Sequence, residues 1–162
     1  MSIRSTIKKP KGNQCMQTRI NISQLEPQSF KAMMGLEIYL KETDVDPKLR
    51  QLIKIRASIL NNCTYCIQMH TEESKSLGES EQRLHALSAW KESSLFSKTE
   101  RAILELTDEI TLITLQGVSE ATYIECLEQL GEQALAQCIM QIVTINMWNR
   151  IAVATKMIHE TN

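Results

Sequence analysis

The sequence contains few residues that break helices or form turns: five glycines and three prolines occur among 162 residues. Aromatic residues make up only 4% of the chain, so Leu, Ile, Ala and Met carry most of the apolar content. All-β sandwiches and barrels need frequent turns between many short strands. The scarcity of turn residues therefore favours helices, and we predict an all-α fold.

The chain also lacks a charge of one sign, because 18 basic and 19 acidic residues leave a net charge of −1. No nucleic-acid partner is predicted, since such proteins usually carry a basic patch or stripe. No run of about 18 apolar residues is present, which argues against a transmembrane helix. No apolar run follows the basic residues near the N-terminus, so a secretory signal is not expected either. We expect a cytoplasmic protein without a membrane partner.

The first part of the chain shows no apolar periodicity and includes Pro10 and Gly12. We expect residues 1–20 to form a flexible arm that precedes a single helical domain at residues 21–160. Helix-starting and helix-ending signals predict a bundle of about six to seven helices. The last one, from about residue 132 to 158, is apolar around much of its circumference, which predicts burial in the bundle or against a partner subunit.

Short capping patterns indicate where the helices begin. Pro27 suits the first turn of a helix. Asp46 can cap a helix whose first residue is Pro47, and Ser97 and Glu100 have the spacing of a capping box. Further boundaries are predicted at Asn61, Asn62, Gly78, Ser119 and Gly131.

Five cysteines are present, and Cys15, Cys126 and Cys138 are far apart in the sequence. Since no secretory signal is found, we expect a reducing compartment, where paired cysteines are usually catalytic or metal-binding. Cys126 and Cys138 occur among Leu and Ile residues at helical spacing. We predict that both are inert core thiols, because a buried cysteine behaves as a small hydrophobic residue.

The remaining cysteines, Cys63 and Cys66, form a C-x-x-C motif at the start of a helix expected at about residues 63–77. Cys66 and His70 are four positions apart, so all three side chains share one helix face. Free amide groups and the helix dipole at this end favour a thiolate over a thiol. His70 can accept the thiol proton or stabilise the anion.

Three kinds of site fit this motif. In a redox site, one thiolate attacks a peroxide and the other converts the sulfenic acid into a disulfide. In a zinc site, two thiolates and His70 would be ligands; a structural zinc needs a fourth, and His85 is the nearest later candidate. In the third case, the two thiols simply pack in a core beside a capping histidine. Position, spacing and chemistry together favour the redox site.

The cysteines lie in a longer pattern, LRQLIKIRAS at residues 49–58 followed by NNCTYCIQMHT at residues 61–71. This pattern resembles the alkylhydroperoxidase D-like branch of the carboxymuconolactone decarboxylase family. Weaker matches follow in the same order at residues 78–84, 90–96 and 146–150. The resemblance covers roughly residues 16–158, and its specific part is the segment that contains the cysteines.

The resemblance implies an all-helical homo-oligomer, a trimer or hexamer, that reduces hydroperoxides. It implies electrons from a dithiol donor, dihydrolipoamide- or thioredoxin-like, and no metal or organic cofactor. By the same resemblance, Cys66 attacks the peroxide, His70 belongs to its proton relay and Cys63 resolves the product. From the residues alone the order stays open, because the first thiol of a C-x-x-C pair is usually the better thiolate.

Gln51 departs from the family pattern. Relatives with this activity commonly have a Glu at that position, twelve residues before the first cysteine, as the distal member of the relay, and a Gln cannot take up a proton. If Gln51 limits the relay, Gln51→Glu should raise the peroxide-dependent rate; an unchanged rate would mean that another group already serves. Glu72 and Glu73 are candidates, although we expect both on a solvated helix face.

Two other functions stay open. One is a decarboxylase or lactonase of the same fold acting on a cyclic acid, although that chemistry does not need two cysteines. The other is a redox-sensing interaction protein whose disulfide alters assembly, which Gln51 makes more plausible. Tyr65, between the cysteines, is common in the wider branch, whereas the founding peroxidase has a His there. This difference argues against a full copy of that enzyme's relay.

Several polar residues outside the motif are expected to be structural. Asn146 and Asn149 are predicted to be polar anchors, with Arg150 in the same cluster and Trp148 as an aromatic wedge near the site or a subunit contact. Arg56 could bind an acidic substrate group, but we expect an internal salt bridge instead.

Overall fold

The computed structural model describes residues 18–159, in which every regular element is helical. The elements are α1 (Ile22–Leu25), α2 (Pro27–Lys41), α3 (Pro47–Leu60), α4 (Thr64–Ser76), α5 (Glu81–Ala86), a 3₁₀ segment (Leu87–Glu92), α6 (Lys98–Thr111), α7 (Ile113–Gln116) and α8 (Glu120–Thr155). The all-α prediction is confirmed. Cys15 and most of the arm predicted at residues 1–20 lie outside the described range. No helix within it is long and apolar enough to span a bilayer.

The sequence pattern gives no indication of the two four-residue helices, α1 and α7, or of the 3₁₀ segment. In α8, Gly131 has a φ of 74° and interrupts the helical geometry, at the residue where the sequence predicts one helix to end and another to begin. Lys156 adopts a left-handed conformation with a φ of 54°. The helix therefore ends at Thr155, three residues earlier than predicted.

The predicted capping contacts are present. The Asp46 carboxylate accepts a hydrogen bond from the Leu49 amide at 3.0 Å. Ser97 and Glu100 form the predicted capping box, in which each side chain accepts a hydrogen bond from the backbone amide of the other, at 3.2 and 2.7 Å. Each bond satisfies an amide that has no partner within its helix, and a cap is typically worth about 1 kcal/mol.

α3 lies at the centre of the fold, with apolar side chains buried on two of its faces. One face packs against α6 and α8 in a cluster of Val45, Leu49, Ile53, Ala57, Ala102, Ile103, Leu106, Cys126, Leu135, Cys138, Ile142 and Ile145. The other face packs against α5, the 3₁₀ segment and α6 through Leu52, Ile55, Leu84, Leu87, Trp90, Phe96 and Leu104. Full burial of one such side chain contributes about 1.5–3 kcal/mol. The two clusters therefore fix the helix that leads into the cysteine motif.

Two charged residues of α3 are also buried, and each has an acidic partner. Arg56 forms a two-point ion pair with Asp108 of α6, at 2.6 and 2.8 Å, and the Trp90 indole donates to the same carboxylate. Lys54 Nζ lies 3.0 Å from Glu37 Oε2 of α2. Such pairs are needed because an uncompensated buried charge costs several kcal/mol. The internal salt bridge predicted for Arg56 is confirmed.

A network of buried amide groups joins α8 to the end of α3. The Asn61 side-chain nitrogen lies 2.9 Å from the Asn146 side-chain oxygen and 3.0 Å from that of Asn149. Asn149 in turn donates to the Ser58 hydroxyl at 2.9 Å, and Asn146 donates to the Thr111 hydroxyl at 3.0 Å. The anchoring role predicted for the two α8 asparagines is confirmed. The chain is thus held in place directly before the cysteine motif begins.

Candidate active site

A short turn leads from α3 into the cysteine motif. Asn62 has a φ of 54°, a left-handed conformation that asparagine tolerates better than most residues. The Cys63 amide then donates to the Ser58 carbonyl at 2.9 Å. Cys63 is the N-terminal cap of α4, and its sulfur lies 3.4 Å from the Cys66 amide nitrogen. The turn therefore places both sulfurs at the N-terminal end of the helix.

Cys63 and Cys66 form a disulfide, with their Cα atoms 5.4 Å apart. Each residue is only 2% exposed. Both pack against Ala152 of α8, with Tyr65 and Met157 at the edge of the same cluster. The structure therefore represents the oxidised form of the pair. After reduction, the free amide groups and the positive end of the helix dipole would stabilise a thiolate at this end of α4.

His70 lies one turn beyond Cys66 and is buried. Its Nδ1 is 3.0 Å from Glu73 Oε2, and Gln51 of α3 donates its side-chain N–H to the same oxygen at 3.1 Å. The hydrogen bond with His70 is the main cause that lowers the pKa of Glu73 to about 2, with smaller contributions from the charges of His70 and Lys54 and from Gln51. Glu73 is therefore ionised at neutral pH, and an ionised carboxylate only accepts hydrogen bonds.

Two neighbouring cavities border the cysteine pair. The larger has a volume of about 490 Å³, and its largely apolar wall includes both Cys66 and His70. Lys54 and Glu73 also line it. The smaller, of about 160 Å³, is lined by Cys63 and by the chain that follows the end of α8. Each cysteine thus lines a different cavity, whereas Tyr65, Ala152 and Met157 line both.

The segment after α8 lies over the cysteine motif. His159 stacks on Tyr65, with ring centroids 4.3 Å apart and an interplanar angle of 17°. His159 Nε2 also lies 2.7 Å from the Tyr65 carbonyl oxygen. Met157 packs beside the two sulfurs and lines both cavities. This segment therefore forms part of the wall of both cavities through Met157.

A sequence model of known proteins matches this chain across α3 and α4, the helices that carry Gln51, the cysteine motif and His70. The model is that of the carboxymuconolactone decarboxylase family, and it matches residues 27–109. The chain belongs to this family. Among related sequences, the uncharacterized protein YdfG of Bacillus subtilis (strain 168) is 39% identical over 139 residues, which is 86% of this chain and 95% of YdfG.

Solved structures of similar proteins place this family member in the alkylhydroperoxidase D-like branch. A protein of unknown function from Agrobacterium tumefaciens, provisionally assigned as the antioxidant defence protein AhpD, is 36% identical with a TM-score of 0.87. The match covers 90% of this chain and all of that one. The AhpD core of a peroxidase-related protein from Ralstonia eutropha JMP134 has a TM-score of 0.74 over 85% of this chain and 74% of its own. At 18% identity, it shows a shared fold alone.

The family motif residues Cys63, Cys66 and His70 lie along the first two turns of α4, and Cys66 and His70 line the same cavity. Gln51, which occupies the position of the family Glu, reaches this group through Glu73. As expected, Glu73 lies on an exposed face of α4, with a side chain that is 45% exposed, but one of its oxygens also contacts both His70 and Gln51. Glu72 is exposed, and its carboxylate accepts a hydrogen bond from Gln68.

The described residues of this protein do not provide a complete set of ligands for the zinc site considered above. Among residues 18–159, no three His, Cys, Asp or Glu side chains are grouped so that they could hold a metal ion. His85, considered as a fourth ligand, is exposed on α5.

Sequence reasoning named Glu73 as a candidate but did not use its spacing: it follows His70 by three positions, which brings side chains together on a helix. Other residues near the motif were missed. The Lys54–Glu37 pair joins two different helices. His159 reaches Tyr65 from 94 positions away. No local pattern predicts contacts of these latter two kinds.

Proposed function

We propose that this protein is a thiol-dependent peroxidase that reduces organic hydroperoxides through Cys63 and Cys66, with electrons from a dithiol donor. The observation that carries the proposal is the larger cavity, whose wall contains both Cys66 and His70. A substrate in this cavity meets a sulfur and a candidate base together. Membership of the AhpD-like branch supports an antioxidant role of this kind.

In the proposed reaction, the Cys66 thiolate attacks one peroxide oxygen. An S–O bond forms, the O–O bond breaks, and the leaving alkoxide takes up a proton to become an alcohol. Cys66 is then a sulfenic acid. The Cys63 thiolate attacks its sulfur, the S–O bond breaks, and the oxygen leaves as water after protonation. Two thiols are thereby oxidised to the disulfide, and one hydroperoxide is reduced to an alcohol and water.

The donor closes the cycle by thiol–disulfide exchange. One donor thiolate attacks the disulfide and forms a mixed disulfide, which the second donor thiol then resolves. Cys63 borders the smaller cavity, apart from the one that Cys66 and His70 line. This arrangement supports donor attack on Cys63, which releases Cys66 as the leaving thiolate. A dihydrolipoamide- or thioredoxin-like dithiol is the expected class of donor.

A homo-oligomer, a trimer or hexamer, is part of the same proposal. Apolar side chains on α2 support it: Ile38 is 56% exposed and Tyr39 is 53% exposed. Of this helix, only Leu40 is buried in the single chain. Light scattering coupled to size-exclusion chromatography gives the subunit number directly, and a monomer at micromolar concentration would contradict this part of the proposal.

The test is steady-state consumption of cumene hydroperoxide with dihydrolipoamide as the electron donor. We expect turnover in the wild type and none in Cys66→Ser or Cys63→Ser. If the wild type forms the Cys63–Cys66 disulfide with peroxide but does not turn over, the protein is a redox-sensing interaction protein instead. If peroxide does not oxidise the pair at all, a decarboxylase- or lactonase-type activity on a cyclic acid becomes the better proposal.

A further inference from the structure

We infer that Glu73 replaces the residue at position 51 as the carboxylate of the proton relay, acting on Cys66 through His70. This inference rests on the proposed function, because it assigns a role within the same site. It moves the carboxylate from α3 to α4, where His70 and Glu73 are three positions apart. Glu73 is therefore a positioning residue, which contacts His70 and not the sulfur.

The first argument is the tautomer that Glu73 imposes on His70. An ionised carboxylate has no proton to donate, so the 3.0 Å contact requires that Nδ1 carries the hydrogen. In neutral His70, the lone pair is then on Nε2, the ring atom directed away from Glu73. A carboxylate that holds a histidine in one tautomer and stabilises its protonated form is the arrangement that activates nucleophiles in hydrolytic triads.

The second argument is the orientation of Gln51. Its Nε2 group lies 3.1 Å from the same Glu73 oxygen that contacts His70. The flipped amide would place an oxygen against an ionised carboxylate, so the observed orientation is the favourable one. Gln51 therefore holds Glu73 and takes no proton itself. Its own Oε1 is buried without a hydrogen-bond partner among the described residues.

The third argument is the charge around this group. Lys54 of α3 is the nearest buried cation; it is paired with Glu37 of α2 and also attracts the Glu73 carboxylate. Lys41 of α2 lines the same cavity. Lys54 favours the ionised form of Glu73. His70, held by that carboxylate, can accept the proton of the Cys66 thiol and then donate it to the leaving alkoxide.

The first experiment measures the acidity of Cys66 without peroxide. In a Cys63→Ser background, the rate of Cys66 alkylation by iodoacetamide is followed against pH, with the modified peptide identified by mass spectrometry. Glu73→Gln should shift the profile to higher pH and slow alkylation at pH 7 by about tenfold, since His70 loses its anion. Glu72→Gln, on an exposed neighbour, should leave the profile unchanged. A Glu73→Gln profile that coincides with that of Glu72→Gln overturns the inference.

The second experiment measures single-turnover oxidation of the reduced protein by cumene hydroperoxide. Positioned acid–base groups typically contribute about 10²–10⁴ in rate, and loss of the carboxylate partner should cost about 10–100-fold. Glu73→Asp should recover part of the loss. Gln51→Glu should give no increase, because it replaces the N–H donor of Glu73 by a second carboxylate. An increase with Gln51→Glu, together with a wild-type rate in Glu73→Gln, would restore position 51 as the relay site.

The two experiments separate this inference from the proposed function. If the wild type has no peroxidase turnover but Glu73→Gln still shifts the alkylation profile, the proposed function fails and the His70–Glu73 assignment stands. If the wild type turns over peroxide and Glu73→Gln changes neither measurement, the proposed function stands and the assignment fails.

Discussion

The two cysteine pairs of the described chain are almost equally buried, yet their surroundings differ. Cys126 and Cys138 are fully buried in the cluster between α3, α6 and α8. Burial raises the pKa of Cys126 to about 11 and that of Cys138 to about 12, with a smaller contribution from nearby negative charge. Cys63 and Cys66 are only 2% exposed, but Cys63 caps α4, Cys66 lies in its first turn, and the two residues line two cavities.

The comparison shows that exposure alone does not distinguish a structural thiol from a reactive one. In the core, each sulfur is surrounded by apolar side chains, which disfavour its anion. At the start of α4, backbone amide groups and a histidine held by a carboxylate offer an anion the opposite environment. Cys63 and Cys66 differ from Cys126 and Cys138 in two ways: polar groups surround their sulfurs, and a reactant has a cavity beside them.

The largest expected difference is in activity. Cys66→Ser should reduce peroxide turnover by about 10³-fold or more, because no other group supplies the nucleophile. Cys138→Ala, which removes a core sulfur, should change turnover less than twofold while it lowers the free energy of unfolding by about 1 kcal/mol. Peroxide consumption and urea denaturation measure the two effects. A turnover loss of similar size in both variants would show that the core cysteine matters for activity as much as Cys66 does.

The next difference concerns thiol reactivity and pH. Because the folded-state pKa values of Cys126 and Cys138 are about 11 and 12, both should stay unmodified by iodoacetamide at pH 8 in the folded protein. Cys66 in the reduced protein should react at least about 100-fold faster. Urea should abolish the difference. Peptide mapping by mass spectrometry assigns each site, and modification of Cys138 in the folded protein would contradict the burial argument.

The same pKa values give the sign of a stability effect. Their folded values exceed the ordinary value of 9.0, so the unfolded chain loses these protons first as the pH rises. Stability from the two neutral thiols is therefore complete below pH 9 and is lost progressively as the pH rises towards 11–12. Urea denaturation of wild type and Cys138→Ala between pH 7 and 10 should show a smaller alkaline loss in the variant. Parallel curves would contradict this linkage.

An intermediate effect is expected from the amide network behind the motif. Asn149→Ala removes one acceptor of the Asn61 amide and the donor to the Ser58 hydroxyl, and should lower the free energy of unfolding by about 2–3 kcal/mol. It should also slow Cys66 oxidation, since the turn before Cys63 loses support. Gln133→Ala, at an exposed position of α8, is the matched control. A loss of stability without any change in Cys66 oxidation would show that the network does not position the motif.

The smallest effect is expected from the segment that covers the disulfide. His159→Ala removes the stacking on Tyr65 and the contact with its carbonyl oxygen. The disulfide should then be reduced about 2–5-fold faster by a bulky dithiol, because a stacked aromatic pair contributes only about 0.5–1.5 kcal/mol. His85→Ala serves as the control, because His85 is exposed on the surface of α5. Equal reduction rates for the two variants would show that this segment does not limit access.

The predictable part of the fold depended on contacts between near neighbours in the sequence. Asp46 with Leu49, and Ser97 with Glu100, satisfy each other within three positions, so the capping signals give the helix starts correctly. The C-x-x-C motif and His70 are likewise local to one helix. The short helix α7 has no cap and no apolar period of its own, and for that reason the sequence did not indicate it.

The unpredicted part of the site depends on how separate helices pack. Gln51 contacts Glu73 from 22 positions away, and Lys54 forms an ion pair with Glu37 of another helix. A carboxylate at position 51 is the local signature of the relay, and its absence led to an expectation of weak proton transfer. The structure shows another carboxylate three residues after His70: Glu73 lies on the exposed face that the sequence predicted, but it also contacts His70 and Gln51.

The two cavities that border the cysteine pair have a kinetic consequence under the proposed function. An oxidant would reach Cys66 through the larger cavity and a reductant would reach Cys63 through the smaller, so the two reactants need not occupy the same volume, although Met157 lines both cavities. The enzyme would follow ping-pong kinetics. Excess donor would not inhibit the half-reaction with peroxide, and excess peroxide would not inhibit the half-reaction with the donor. The two half-reactions could then be tuned independently, with mutations in one cavity changing a single KM.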